Sequence, residues 1–174
     1  MPRIGLLSDS HGRSTTTRRA VELLVAEGAE VLVHLGDVGT VEVIDALAEV
    51  DDEGSPIEAH LVFGNTDWDT GPLARYAEEL GVKVDHPAGR IQLEQGSLYF
   101  CHGHQPEIMA AGLREGAKYL CHGHTHRTLD EQQGATRVIN PGALFRAETY
   151  TVALLDSGSD TLRFLTVDEP RSRR

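Results

Sequence analysis

The sequence predicts an α/β protein of two packed sheets with helices outside them. Three observations lead there. The first 80 residues alternate short apolar runs with stretches of helical spacing. The second half changes to hairpin and strand signals. Polar residues able to bind metal stand just after the apolar runs in both halves.

Taken in order, residues 3–8 (RIGLLS) form an apolar run that ends in Asp-Ser-His-Gly, a buried strand feeding a loop. Ser14 to Thr17 offer N-caps for a helix, Ala20, Leu23, Leu24 and Glu27 follow at helical spacing, and Gly28 stops it. Residues 30–35 (EVLVHL) read as a second strand, ending at Gly36-Asp37. Residues 40–49 read as a helix with Val43, Ile44 and Leu47 on one face. Residues 51–56 are a surface loop, and residues 57–63 (IEAHLVF) a third strand that ends at Gly64-Asn65. A β-α-β-α-β run with compact connections is the signature of a parallel sheet with crossover helices.

Residues 72–80 form a further helix, with Pro72 in its first turn and Gly81 after it. Residues 90–94 and 97–101 read as a hairpin around Gln95-Gly96. A helix follows at 106–115, then a short strand at 118–121 that runs into His122-Gly123-His124. Further strands are expected at 136–139, 149–155 and 161–167. One domain is expected over residues 1–168, with 169–174 a disordered tail.

Composition narrows the function classes. A chain of 174 residues with 40% hydrophobic content can bury a core of its own. No apolar run approaches the roughly 18 residues that a membrane span needs. The run Ile4 to Leu7 is too short for a signal-peptide core, so a cytoplasmic location is expected. The net charge of −11 argues against an extended nucleic-acid surface. Lys83 and Lys118 are the only lysines among 16 basic residues. An acidic chain poor in lysine is what work at high salt favours, because salt screens self-repulsion.

The chemistry sits at the strand ends. Asp9 and His11 follow the first strand, Asp37 the second and Asn65 the third. His102, His124 and His126 follow strands in the second half. In open α/β sheets the carboxyl ends of strands gather at one crevice, so residues distant in sequence can converge. Imidazoles with carboxylate and amide oxygens suit divalent transition metals. The i, i+2 pairs Asp9/His11 and His124/His126 point to one side of extended chain. Asp37 can touch two ions at once. Two metals about 3.5–4 Å apart would activate a water and clamp a phosphoryl group.

These motifs, Asp-x-His (Asp9, His11), Gly-Asp (Gly36, Asp37), Gly-Asn-x-Asp (Gly64, Asn65, Asp67), His-Gly-His (His102, His104) and Gly-His-x-His (Gly123, His124, His126), resemble in order those of the calcineurin-like metallophosphoesterases. With Asn140-Pro141-Gly142, they are similar to the small prokaryotic YfcE-type phosphodiesterase branch. The resemblance implies a four-layer α/β/β/α sandwich of two mixed sheets. It implies two divalent ions, Mn²⁺ first and Fe, Ni²⁺ or Zn²⁺ as alternatives. Asp9, His11 and His126 would hold one ion, Asn65, His102 and His124 the other, and Asp37 would bridge. It implies hydrolysis of a small phosphorylated substrate, most readily a phosphodiester, and a homodimer or homotetramer.

One position departs from the pattern. Many relatives carry a His after the Asn, thought to protonate the leaving oxygen; here it is Thr66, a poor acid at neutral pH. His104 is the substitute, so Asp37, Asn65 and His104 form the expected catalytic group. Asp67 is expected to orient a ligand His or the loop. The departure also suits a weakly active metal-binding scaffold, like the trafficking subunit that shares this resemblance.

Two other readings compete for the histidine-rich segments. A structural zinc site from Cys101, His102, Cys121 and His122 is disfavoured, because adjacent strand residues face opposite ways. Both cysteines are expected in the core, and His34 and His60 as structural histidines. His86 receives no role, and His122 a supporting one. Arg171, Arg173 and Arg174 read as a solvated terminus.

Overall fold

The structure, a computed structural model, describes residues 1–49 and 54–168. The expected tail at 169–174 and the first part of the expected loop at 51–56 lie outside the described residues. The elements are β1 (Arg3–Leu7), α1 (Ser14–Ala26), β2 (Val31–His34), α2 (Val41–Leu47), β3 (Glu58–Leu61), α3 (Thr70–Glu79) and β4 (Lys83–Val84) in the first half. The second half holds β5 (Ala88–Leu93), β6 (Gly96–Cys101), α4 (Pro106–Arg114), β7 (Tyr119–Cys121), β8 (Thr128–Gln133), β9 (Thr136–Pro141), β10 (Thr151–Asp156) and β11 (Thr161–Thr166).

Two mixed sheets result. One has the order β11-β10-β1-β2-β3-β4 and the other β5-β6-β7-β9-β8. Strands β1 to β4 run parallel, and β10 returns antiparallel to β1. In the second sheet β6, β7 and β9 are parallel to one another, with β5 and β8 antiparallel at the edges.

Side-chain alternation turns this topology into four layers. Ile4 and Leu6 of β1 and Val31 and Val33 of β2 meet Leu98, Phe100, Tyr119 and Ile139 between the sheets. On the other face of the first sheet, Leu7, Leu32, Ala59 and Leu61 pack against Val21 and Leu24 of α1 and Val43, Ile44 and Leu47 of α2. On the outer face of the second sheet, Tyr99, Cys101, Leu120 and Val138 are covered by Ile108 and Met109 of α4. Each fully buried Leu, Ile or Phe contributes about 1.5–3 kcal/mol of transfer free energy. The expected α/β/β/α sandwich is the observed one.

Differences from the sequence reading have local causes. Strand β8 (TLDEQQ) is exposed along nearly its whole length, so it carries no apolar alternation to read. Strand β4 is only two residues long. The helix expected at 72–80 begins two residues earlier, at Thr70. The hairpin turn is Glu94-Gln95, because Leu93 pairs with Gly96. Gly96 is already in the strand, at φ 118°, where a Cβ would press to 3.0 Å from the Cβ of Lys118. In α1 the Ser/Thr run lies inside the first turn; Arg13 is the N-cap, and no side chain caps the helix. Thr17 Oγ1 instead reaches the Arg13 carbonyl and Ser10 Oγ, each at 2.9 Å.

Candidate metal centre

The carboxyl ends of β1, β2, β3, β6 and β7 meet at one edge of the sandwich, where the two sheets are stitched together by their loops. The Asp9 amide donates to Gly36 O (3.0 Å), the His11 amide to Asp37 O (2.8 Å) and the Gly123 amide to His102 O (2.9 Å). Across the sheets, the His124 amide donates to Asp9 Oδ2 at 3.1 Å. The packing is close: a Cβ on Gly64 would fall 2.1 Å from Asp37 Oδ1, and one on Gly123 would fall 1.9 Å from Ser8 Oγ. Glycine stands beside these ligands because nothing larger fits.

Backbone strain is concentrated here. Asp9, His11, Asp37, His124 and His126 all adopt positive φ, between 45° and 69°. Such a conformation costs a non-glycine residue on the order of 1 kcal/mol, and it clusters where chemistry needs an unusual side-chain direction.

All seven expected ligands are brought together. Asp9 is fully buried and Asp37 is 2% exposed. His126 Nε2 lies 3.1 Å from Asp9 Oδ1. His11 Nε2 and His102 Nε2 each lie 3.4 Å from Asp37 Oδ2. His102 Nε2 is 3.0 Å from Asn65 Oδ1. The His124 ring stands 5.2 Å from the His102 ring. The ligand atoms fall into two clusters, Asp9/His11/His126 and Asp9/Asp37/His102, each within 4.8 Å.

The donor set fits divalent metal. Asp9 Oδ1 and His11 Nε2 are buried and make no hydrogen bond. A buried carboxylate oxygen without a partner is costly, and a cation would remove that cost. Two imidazoles are also turned the way metal ligands are: His102 Nδ1 donates to Leu35 O (2.7 Å) and His126 Nδ1 to Arg146 O (3.4 Å). Each then presents Nε2 to the carboxylates. Burial opposes charge on Asp37, but hydrogen bonding from His102 and from the Thr66 amide (2.9 Å) outweighs it, so the carboxyl titrates well below its usual range. Burial likewise opposes charge on His102, yet the Asp37 carboxylate raises its pKa. Burial lowers the pKa of His11, against the pull of Asp37 and Asp9.

The supporting residues divide clearly. Asp67 accepts from the amides of Val38 (3.1 Å), Gly39 (2.9 Å) and Gly64 (2.9 Å), so it fastens two ligand loops and orients no histidine. Asn140 Nδ2 donates to Gly123 O (2.9 Å) and Thr125 Oγ1 (3.1 Å), and its Oδ1 accepts the Gly142 amide (3.0 Å). The Asn-Pro-Gly element thus fixes the loop that carries His124 and His126. His34 is structural: Nδ1 accepts from the Gly36 amide (3.2 Å) and Nε2 donates to Ser10 Oγ (2.8 Å). Burial pushes its pKa down to about 3. His60 sits between Asp85 Oδ2 (2.7 Å) and Glu58 Oε1 (3.1 Å). His122 contacts Gly123 O (3.0 Å). His104 packs beside His102 and His124, with ring centroids at 5.3 and 6.1 Å. Its Nδ1 is buried without a hydrogen bond, and burial lowers its pKa.

Cys101 and Cys121 are free and buried, and they face opposite sides of the second sheet. A zinc site joining them is therefore ruled out by geometry.

Sequence reasoning missed Phe145 and Arg146. Both line the 380 Å³ cavity in front of the ligands, with His11, Asn65 and Thr66 among its other walls. They follow the carboxyl end of β9, which runs parallel to β7 and so delivers its loop to the same edge. The strand-end rule would have found them had the direction of β9 been legible. His86, which received no role, accepts the Phe63 amide at 3.4 Å.

Known proteins share both the sequence pattern and the fold. Phosphodiesterase YfcE of Escherichia coli is 32% identical over 154 residues, covering 83% of this chain and 80% of that protein. Phosphodiesterase MJ0936 of Methanocaldococcus jannaschii is 23% identical over 172 residues, covering 95% and 99%. Among solved structures, an archaeal phosphodiesterase superposes with a TM-score of 0.82 at 23% identity, covering 94% of this chain and 99% of the other. Vps29 of Entamoeba histolytica, solved in complex with Zn²⁺, shares the fold at a TM-score of 0.62 and 17% identity, covering 95% and 99%. Residues 2–160 match the calcineurin-like phosphoesterase superfamily domain, and the chain belongs to that superfamily.

Proposed function

We propose that this protein is a phosphodiesterase that works with two divalent metal ions held by Asp9, His11, Asp37, Asn65, His102, His124 and His126. The observation that carries the reading is the pair of orphaned buried donors, Asp9 Oδ1 and His11 Nε2, facing a cluster of carboxylates and imidazoles. Asp9, His11 and His126 would hold one ion, Asn65, His102 and His124 the other, and Asp37, between His11 and His102, would touch both. When bound, the metals supply Lewis acidity and an activated water. The mix of imidazole and oxygen ligands fits Mn²⁺, Fe, Ni²⁺ or Zn²⁺, and Mn²⁺ is the ion proposed first.

The chain's own residues do the rest. Asp37 stays ionised across the physiological range, because His102 and the Thr66 amide hold it as a carboxylate. Asn65 presents an amide to the phosphoryl oxygens at the mouth of the cavity. Thr66 offers a wall and a backbone amide where many relatives offer an acid, and His104, beside His102 and His124 rather than in the cavity wall, is proposed to protonate the leaving oxygen through its minor protonated fraction, because burial lowers its pKa. A leaving group that needs no proton would bypass that step, and His104→Asn should slow alkyl diesters far more than aryl ones. Equal losses on both would remove His104 from the mechanism.

The direct test of the function is release of p-nitrophenol from bis(p-nitrophenyl) phosphate with Mn²⁺, followed by EDTA. Metal-dependent release that EDTA stops is expected, and no release would leave the scaffold reading in its place. The named relatives are phosphodiesterases, which favours the enzyme over the scaffold. We include in the proposal a single domain over residues 1–168 and a homo-oligomer, the latter to be checked by light scattering.

A further inference from the structure

We propose that the groove beside the metal cavity is a second anion subsite, and that the substrate carries a further phosphate besides the one hydrolysed. This inference rests on the phosphoesterase reading. The groove has a volume of about 520 Å³ and shares two walls, His126 and Arg146, with the metal cavity. The two cavities are therefore neighbours, and a molecule held at one lies next to the other.

Its chemistry is unlike that of the rest of this acidic chain. Arg127 and Arg146 line it, opposed by a single carboxylate, Glu148, and accompanied by Thr125, Thr128 and Thr149. Among the described residues neither guanidinium has a carboxylate within ion-pair distance. Arg137 shows the contrast: Asp130 Oδ1 and Asp160 Oδ1 hold it at 2.7 and 2.9 Å. On a chain of net charge −11, two cations left without a partner in one groove point to an external anion. Guanidinium forks match phosphate oxygens two at a time, and hydroxyls add further donors. Thr125 Oγ1 accepts from Asn140 Nδ2, which leaves its own proton free to donate.

Arg146 is exposed but held by its surroundings. It adopts φ 47°, and its carbonyl accepts from His126 Nδ1. Its guanidinium lies 5.0 Å over the Phe145 ring, which in turn stands 4.8 Å from the His11 ring. One residue thereby joins the backbone that orients His126 to a cation that lines both cavities.

The test uses a matched pair of ligands, thymidine 5′-phosphate and thymidine 3′,5′-bisphosphate, titrated calorimetrically into Mn²⁺-loaded protein. The wild type should bind the bisphosphate about tenfold more tightly or better, and Arg127→Gln and Arg146→Gln should each bring the ratio toward one. Because the ratio is internal to each protein, a general loss of folding or metal does not imitate the effect. Equal affinities in the wild type, or a ratio untouched in both variants, would overturn the subsite. The p-nitrophenyl 5′-esters of the same two nucleotides report separately on the reaction. A preserved binding ratio without turnover would fault the hydrolase reading and leave the subsite standing. Turnover without a binding preference would do the reverse.

Discussion

The first sheet brings two carboxylates, an amide and one imidazole to the centre, whereas the second sheet brings imidazoles only. Asp9 and Asp37 are almost wholly buried, while His124 is exposed and His126 half-buried. The loops of the first sheet are fastened by backbone hydrogen bonds and by Asp67. A buried carboxylate with an unused oxygen is stabilised by a nearby cation, whereas an imidazole at the rim can satisfy itself with solvent. His102 of the second sheet is as buried as the carboxylates, so we propose that Asp9, Asp37 and His102 supply the affinity for metal and that His124 and His126 close the site.

The largest expected effect follows from Asp37. It lies 3.4 Å from histidines of both sheets, so Asp37→Ala removes the group that we propose to touch both ions. Activity with Mn²⁺ should fall by about a hundredfold or more, the scale of losing a principal charge-stabilising group. The loss should exceed that of any single-ion ligand, and steady-state kinetics on an aryl diester would show an equal or smaller loss if the assignment is wrong. His124→Ala should come next, weakening metal binding at least about tenfold while the fold persists. A melting temperature lowered as much as the affinity would instead make His124 a structural residue.

Asp67→Ala sharpens the comparison from the other side. It leaves the amides of Val38, Gly39 and Gly64 without their acceptor, so about 2–4 kcal/mol of stability should be lost in chemical denaturation. No change would mean that the first-sheet loops hold themselves. The last effect is confined to low pH. His34 is buried as the neutral ring, with its pKa pushed down to about 3. The unfolded chain takes up this proton below its ordinary value near 6.5 and the folded chain does not, so stability should decline from about pH 6.5 toward pH 3. Above pH 6.5 this contribution is flat. His34→Gln should shallow the acid limb of a pH–stability curve; an unchanged limb would show that other groups set it.

Much of this was legible in the sequence because strand ends, glycines and ligand types coincide. Asp9, Asp37 and Asn65 each follow an apolar run that, alternating with helical stretches, reads as a buried parallel strand. That both cysteines lie in the core was likewise legible, but the face each takes depends on the register of β6 with β7, where Phe100 pairs with Cys121. What escaped lacks such a pattern. Strand β8 has Leu129 as its one apolar residue and is held at the edge by pairing with β9. The positive φ angles of Asp9, His11, Asp37, His124 and His126 are imposed by tertiary contacts, since no local sequence rule asks an Asp or His to adopt them. Phe145 and Arg146 depended on knowing that β9 runs parallel to β7, a fact about long-range pairing.

The number of ions bound tests the central claim most directly. The purified chain, stripped with chelator and dialysed against Mn²⁺, should retain two ions per chain by elemental analysis, and Asp37→Ala should retain fewer. A wild-type chain that retains none, or one ion that Asp37→Ala keeps with undiminished affinity, would contradict the account.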